Sequence, residues 1–463
     1  MNLLFAALVT LWAAFLIIKR YKAQTVLFMA GFLLLAGSHL FSFGAVLPPE
    51  KSTGFWVWDL FDVLRALFSS RLASMGLNIM AVGGFARYMD TIGASRALVN
   101  LTLPALRRLH SPYLVMSLSW MLSMFLGLAI SSASGLAMLL MVTLFPILVG
   151  LGISPMSAAA VIATSLCLDW SPADAMTVYA ADLAGLDPVI YWHYFLVPMV
   201  LTITPILAVV QYFTQKLMDE KDGHVVKIRD REEILIHLEP GPGDLPDTKH
   251  PPLFFAILPT LPLFLILLFS PFAIDSVEMN LIIAIAISMT ASMVIQWIRT
   301  RDARETASGI QDFFDGMGRQ MAHVLTIVFA GEFFARGLTA TGSIDTLLAD
   351  ARESDSGMTG LMLFLVALVA ASSIIMGSGN AAFFSFAGLV PDMAAAAGIP
   401  AVSMILPMNL IVGSARALSP ITGVIVVTGG MAGISPFELV RRTAIPMTIS
   451  CFLIITVHLF YFG

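Results

Sequence analysis

The chain has 463 residues, 58% of them hydrophobic and 12% charged, with a mean hydropathy of +0.89; a water-soluble domain of this length needs far more polar surface to cover its core. The main solvent for this chain is therefore a lipid bilayer. The formal net charge of -5 belongs to the loops, and no basic stripe marks a nucleic-acid-binding face, so that class of partner is excluded.

The first apolar stretch, from Met1 to Ile18, lacks the basic leader of a cleaved signal peptide, and its charges (Lys19, Arg20, Lys22) follow it. It reads as a retained first span with its N-terminus outside, because positive charge stays on the cytoplasmic side. A helix needs about 20 apolar residues to cross the hydrocarbon. Spans are expected at 3–18, 25–45, 72–90, 155–184, 188–214, 252–271, 277–297, 319–338, 400–431 and 436–461. The stretches 112–150 and 357–397 are each too long for one crossing and are interrupted by Ser131-Ser132-Ala133-Ser134-Gly135 and Gly377-Ser378-Gly379-Asn380. Both read as re-entrant hairpins, whose irregular tips survive at membrane depth only where protein or water satisfies the backbone.

The long polar segment 216–250 reads as a cytoplasmic, solvated linker between a first half, 1–215, and a second half, 251–463. Cys167 and Cys451 lie far apart in apolar sequence, a pattern that fits neither a disulfide nor a metal site.

The two halves carry the same punctuation in the same order. Phe85-Ala86-Arg87 matches Phe334-Ala335-Arg336, Ser132 matches Ser378, Gly152-Ile153 matches Gly398-Ile399, and Ser171-Pro172 matches Ser419-Pro420. The series continues with Ala184 to Pro188 against Ala432 to Pro436, and Pro198-Met199 against Pro446-Met447, all at nearly constant offset. A collinear set of this length indicates duplication. Each half holds about five crossings, one hairpin and one Ser-Pro-broken helix (155–184 and 400–431), and an odd number of crossings inverts the second copy. The expected fold is thus an all-α polytopic membrane protein of two inverted repeats. Lys19 to Lys22, Arg96, Arg107, Arg108, the 216–231 region, Arg299, Arg301, Arg304, Arg441 and Arg442 then fall inside, and both termini outside in the periplasm.

Four discontinuities converge in such a fold: the two tips and the two breaks, where proline cannot donate the helix hydrogen bond. Half-helix N-termini suit a carboxylate, and half-helix C-termini with free carbonyls suit a cation. The expected small-anion contacts are Ser132, Ala133, Ser134 and Gly135 in the first tip, with Ser378, Gly379 and Asn380 in the second. Ser171, Pro172, Asn409, Arg416, Ser419 and Pro420 join them from the broken helices. The plainer alternative is that these small residues only let helices pack closely. Arg416 stands in an otherwise uncharged span, where an arginine costs about 2.5–3.5 kcal/mol on insertion scales, so it needs an anionic partner. That partner is either the substrate, held bidentately, or Asp169 or Asp174. These two aspartates have no acidic counterpart in the second half and are candidates, with Glu332, for carrying a coupling ion, H+ or Na+; either aspartate could instead line a watery vestibule. Glu332 could instead be neutralised by Arg336 one turn away. Trp170 either shapes the site or packs against the hairpin.

At these residues the chain resembles the anaerobic C4-dicarboxylate carriers of the DcuC type, within the ion transporter superfamily. The resemblance covers nearly the whole chain and is strongest at Ser111 to Leu114, Ser131 to Gly135 with Thr143 to Pro146, Gly377 to Ala381, Arg416 with Leu418-Ser419-Pro420, and Gly430 to Glu438. It implies transport of succinate, fumarate and malate across the bacterial inner membrane by uptake, exchange or efflux. It further implies a homodimer in which a hairpin-bearing domain moves as an elevator against a scaffold. No cofactor is expected. A carrier of another small anion or an amino acid shares every feature except the family strings. An intramembrane enzyme is disfavoured because neither His-Glu-x-x-His nor Gly-x-Ser-x-Gly occurs, and a passive channel because duplicated broken helices favour alternating access.

Overall fold

A computed structural model describes residues 2–462 apart from 20, 45, 48, 107–110, 131, 225–251, 270–273, 275–278 and 344–356. Most of the expected linker, Ser131 of the first tip, and Arg20, Arg107 and Arg108 of the positive-charge count therefore lie outside the described residues.

Among the described residues every regular element is helical. Six helices are long and apolar enough to cross a membrane: Ala23–Leu40, Pro188–Lys221, Leu281–Thr300, Ala303–Ala340, Thr359–Met376 and Pro436–Phe462. Large apolar side chains such as Leu11, Phe452 and Phe460 are exposed, as they must be where hydrocarbon is the solvent. The expected interruptions are all present. Pro112–Leu126 gives way to a turn at 127–130 before Ala133–Thr143 begins, and Gly377-Ser378 separates Gly357–Met376 from Gly379–Phe386. The first broken helix is Pro155–Ala163 and Ala175–Ala184; the second is Val402–Arg416 and Gly423–Ala432.

The succession of elements occurs twice. Ala175–Ala184 and Gly423–Ala432 begin and end 248 residues apart, and Leu77–Thr91 and Thr326–Ala340 begin and end 249 apart. Each of the latter pair is preceded by one wide π turn, Leu72–Gly76 and Met321–Leu325. Upstream of those turns lie two helices that hydropathy did not reveal, Trp56–Arg71 and Ala303–Gln320. Ala303–Gln320 carries its charges on one side, and Trp56–Arg71 has charges spread around it, so in both the average polarity hides the apolar residues. Ala94–Leu106 was also not expected as a helix; it is too short to span and packs on Leu253–Thr260.

Packing sorts the helices into two groups. Elements of 2–106 and 253–340 pack on one another: Ala23–Leu40 on Thr326–Ala340, and Leu77–Thr91 on Ala303–Gln320. Elements of 112–222 and 357–462 form the second group, with Val197–Lys221 against both Pro112–Leu126 and Pro436–Phe462. The groups meet where Gly379–Phe386 lies on Thr326–Ala340. A Cβ on Gly331 there would stand 2.1 Å from the Phe384 carbonyl oxygen, so only glycine permits the approach.

One boundary differs from the sequence reading. The helix that was expected to end near 214 runs to Lys221, and what was taken as the start of a solvated linker is structural. Gln211, Gln215 and Asp219 recur every four residues on its buried face. Asp219 accepts hydrogen bonds from Ser154 at 2.6 Å, Ser157 at 2.8 Å, Tyr113 at 3.0 Å and Arg442 Nη1 at 2.8 Å. Arg442 Nη2 also donates to Asp222 at 2.5 Å. Arg442, counted above as a cytoplasmic loop cation, is thus a buried strut between the two longest helices of this group, while its neighbour Arg441 is exposed. Removing one member of a buried ion pair costs about 3–5 kcal/mol. Asp219→Ala should therefore lower the thermal midpoint of the detergent-purified protein sharply, and a midpoint equal to wild type would show that the strut contributes nothing.

Candidate functional site

The breaks place irregular backbone in the interior, and each free carbonyl there needs a donor. In the unwound stretch after Ala163, Thr164 O accepts from Trp120 Nε1 at 3.1 Å, Leu166 O from Arg416 Nη2 at 2.5 Å, and Cys167 O from Ser414 Oγ at 3.1 Å. At the first tip, Met124 O accepts from Trp170 Nε1 at 3.0 Å and Leu128 O from Ser171 Oγ at 2.9 Å. At the second break, Thr422 Oγ1 donates to Arg416 O at 2.6 Å and Thr443 Oγ1 to Ala417 O at 2.7 Å. All of these donors except Thr422, which lies within the second break, come from elsewhere in the chain, so the breaks are fixed largely by tertiary contacts. Trp170 is therefore a packing residue: it stacks on Trp192 and meets Phe125 edge-on.

Arg416 is the last residue of Val402–Arg416, where a cation complements the helix dipole. Its Nη2 lies 3.1 Å from Asp169 Oδ1 and its Nη1 3.1 Å from Asp169 Oδ2, with both side chains buried. Of the two aspartates weighed as its partner, Asp169 holds it. Asp174 does something else: it caps Ala175–Ala184, its Oδ2 accepting from Met176 N at 2.9 Å. That half-helix N-terminus already faces a carboxylate.

A cavity of about 650 Å³ brings the expected groups together. One wall carries Ser132, Ala133 and Ser134 of the first tip, Asn380 of the second, and Asp169, Asp174 and Arg416 of the breaks. Ser132 and Ser378 cap the helices after their tips, accepting from Gly135 N at 3.1 Å and Ala381 N at 3.2 Å. Gly379 lies against Val412, where a Cβ would come within 3.0 Å of its carbonyl oxygen. Several of the other expected residues stand behind this wall. Ser171 and Ser419 are buried, and Asn409 is fully buried with its Nδ2 donating to Tyr191 at 3.3 Å. Pro172 and Pro420 set the breaks without lining the cavity.

The opposite wall was not foreseen. Val82, Gly83, Ala86, Arg87 and Asp90 of Leu77–Thr91 line it at helical spacing, as do Gly316, Arg319, Gln320 and His323 of the second helix and its π turn. Arg87 approaches Asp312 and Asp315 at 3.6 Å each, and Asp90 accepts from Ser95 at 2.6 Å. A periodic search of 72–90 could have flagged Arg87 and Asp90; the polar helix 303–320 hid the rest.

Glu332 lies outside the cavity, and its neutralising partner is Arg71, not Arg336. Its Oε2 accepts from Arg71 Nε at 2.7 Å and its Oε1 from Tyr179 at 2.8 Å, whereas Arg336 is exposed. Arg71 also pairs with Asp182. Since Tyr179 and Asp182 belong to the second helix group and Arg71 and Glu332 to the first, the cluster ties the two together.

Helices broken around one charged cavity, in a chain whose exposed surface is apolar, define a polytopic membrane transport protein. A profile of the DcuC family, described as the C4-dicarboxylate anaerobic carrier, matches residues 1–462, and the chain belongs to that family. It is 33% identical over 454 residues to the anaerobic C4-dicarboxylate transporter DcuC of Escherichia coli O6:H1, covering 98% of this chain and 95% of that one. It is 31% identical over 448 residues to the probable anaerobic C4-dicarboxylate transporter DcuC of Vibrio cholerae, covering 96% and 95%. The protein is therefore a transporter and not an enzyme. Among solved structures, Neisseria gonorrhoeae MtrF, titled as illuminating a class of antimetabolite efflux pumps, superposes with a TM-score of 0.60 at 15% identity, covering 93% of this chain and 94% of that one. That likeness concerns the fold alone.

The two broken helices touch at Gly413, where a Cβ would stand 2.4 Å from the Cys167 carbonyl oxygen. Gly413→Val should push the helices apart, separate Arg416 from Asp169 and abolish recovery of folded protein, with Gly413→Ala intermediate. Normal yield and melting of the valine variant would contradict the close approach.

Proposed function

We propose that this carrier moves C4-dicarboxylates such as succinate, fumarate and malate across the bacterial inner membrane by alternating access. The single observation that carries the reading is the cavity in which both tips meet Arg416, in a chain of the C4-dicarboxylate carrier family. Hydroxyls of Ser132 and Ser134 and the Asn380 amide can bind carboxylate oxygens without adding fixed charge. Arg416 supplies the charge-assisted bond. Asp169 stands 3.1 Å from each arm of its fork, the pose a substrate carboxylate would take, so substrate competes with Asp169 for the guanidinium.

Charge supports coupling to a cation. The cavity walls hold three arginines (Arg87, Arg319, Arg416) and three aspartates (Asp90, Asp169, Asp174). An entering dianion leaves that balance negative unless cations come with it, and the carboxylates of Asp169 and Asp174 are where H+ or Na+ would be taken up. Glu332, tied to Arg71, is the weaker candidate for that role. The recurring element order supports two inverted repeats, with the hairpin-bearing group moving as an elevator against the other as part of a homodimer. In this threading both termini are periplasmic and the 216–250 linker cytoplasmic.

A charge-assisted hydrogen bond contributes about 1.5–3 kcal/mol, or roughly ten- to a hundredfold in affinity. In proteoliposomes Arg416→Lys should retain weak succinate counterflow and Arg416→Ala almost none. Asp169→Asn should bind succinate more tightly while losing its response to an imposed proton or sodium gradient. Gradient-driven uptake by Asp169→Asn equal to wild type would remove Asp169 from coupling, and full counterflow by Arg416→Ala would remove the arginine from recognition. For the threading, Lys221→Cys should resist an impermeant thiol reagent added to intact cells; ready labelling would place the linker outside.

A further inference from the structure

We propose that Arg319, on the wall facing the hairpin tips, is a specificity residue that receives the second carboxylate of a dianionic substrate. The inference rests on the dicarboxylate reading above and assigns the far end of that substrate. Three cations line the cavity, and two are engaged. Arg416 is held by Asp169 and the Leu166 carbonyl, and Arg87 stands 3.6 Å from Asp312 and from Asp315. Arg319 has no ion pair or hydrogen bond among the described residues, and it is exposed to the cavity space.

Its position follows from the helix it ends. Gly316, Arg319, Gln320, His323 and Val324 recur at three- and four-residue steps across the junction of Ala303–Gln320 with its π turn, so one continuous stripe faces the cavity. Gln320 cannot compete for an anion as a cation does, and it is packed on Gly83, where a Cβ would overlap its side chain at 2.1 Å. Asp90, the carboxylate of this wall, is turned to Ser95. The two ends of a short dicarboxylate therefore meet unlike partners: hydroxyls, an amide and Arg416 on one wall, and a single free guanidinium on the other. A monoanion satisfied at the tips gains nothing from Arg319, whereas a dianion does. Because the second contact comes from the opposite helix group, it exists only while the cavity lies between the two groups, and relative movement of the groups would break it.

The test is initial-rate uptake in proteoliposomes of wild type, R319Q and R319K, with succinate as substrate and monomethyl succinate as competing monoanion. The expected result is a KM for succinate raised about tenfold in R319Q and less in R319K, with maximal rate and thermal midpoint kept. The preference for succinate over its monomethyl ester should narrow in R319Q. Added salt should raise the wild-type KM more than that of R319Q, because a partly exposed charge is screened. An R319Q carrier with wild-type KM and wild-type preference overturns the assignment. A fall in maximal rate at constant KM in both variants also overturns it, since the arginine would then be structural. Absence of succinate uptake by the wild type overturns the dicarboxylate reading, and this inference falls with it.

Discussion

The guanidinium of Arg416 cannot be left without an anion inside a bilayer, and much of the surrounding structure follows from that requirement. To hold it, the first broken helix unwinds after Ala163 and turns Asp169 and the Leu166 carbonyl toward it. Unwinding frees other carbonyls, which take donors from Trp120 and Ser414, while Trp170 and Ser171 of the unwound stretch donate in turn to carbonyls at the first tip. The second break is stitched in the same way by Thr422 and Thr443. A buried pair of this kind gives little net stability. On the reading proposed above, its value is that a substrate carboxylate can take the place of Asp169 without leaving the arginine bare.

Small residues set the geometry around this pair. Gly413 brings the helix carrying Arg416 against the Cys167 carbonyl, which sets the pair at contact distance. Ser132 and Ser378 each accept one backbone N–H of the helix they cap, which leaves each hydroxyl its proton to donate, and of the two Ser132 lines the cavity. Asp174 caps the third half-helix and keeps its N-terminus closed to other anions. The Thr422 side chain makes no cap bond to the fourth. The two breaks thus have the same outline and different chemistry: an aspartate stands where the other half has a threonine.

Much of this was legible in the sequence because membrane helices advertise their faults. A Ser-Pro pair or a Gly-Ser run inside twenty apolar residues costs too much to be incidental, and helices are interrupted near each of those runs. Their recurrence at near-constant offset was equally plain. Three things were not. The helices Trp56–Arg71 and Ala303–Gln320 are diluted by charges, so hydropathy averaged them into loops, and the part of the second cavity wall built by Ala303–Gln320 was lost with it. Asp219 stood at the edge of a charged run whose composition spoke for solvent, although Gln211 and Gln215 above it already marked a polar stripe on a buried face. Glu332 had a plausible cation at four residues' distance in Arg336, and local spacing could not show that Arg71, 261 positions away, would reach it first.

The ion pairs themselves differ according to which helices they join. Arg442 and Asp219 lie within one group and are sealed, with side-chain exposures of 3% and 0%; breaking them leaves a buried charge, at a cost of several kcal/mol. Arg71 and Asp182 join the two groups and are 26% and 24% exposed, so water can replace either partner, and such pairs contribute about 0–1 kcal/mol. Glu332, at 8%, keeps the Tyr179 hydroxyl only while the groups are in this register. If the two groups slide as proposed, strong bonds belong inside each group and weak ones between them. The gradient of burial from the Arg442 strut to the Arg71 cluster has that order, and the close approach of Gly331 to the Phe384 backbone at the junction is steric and involves no charge.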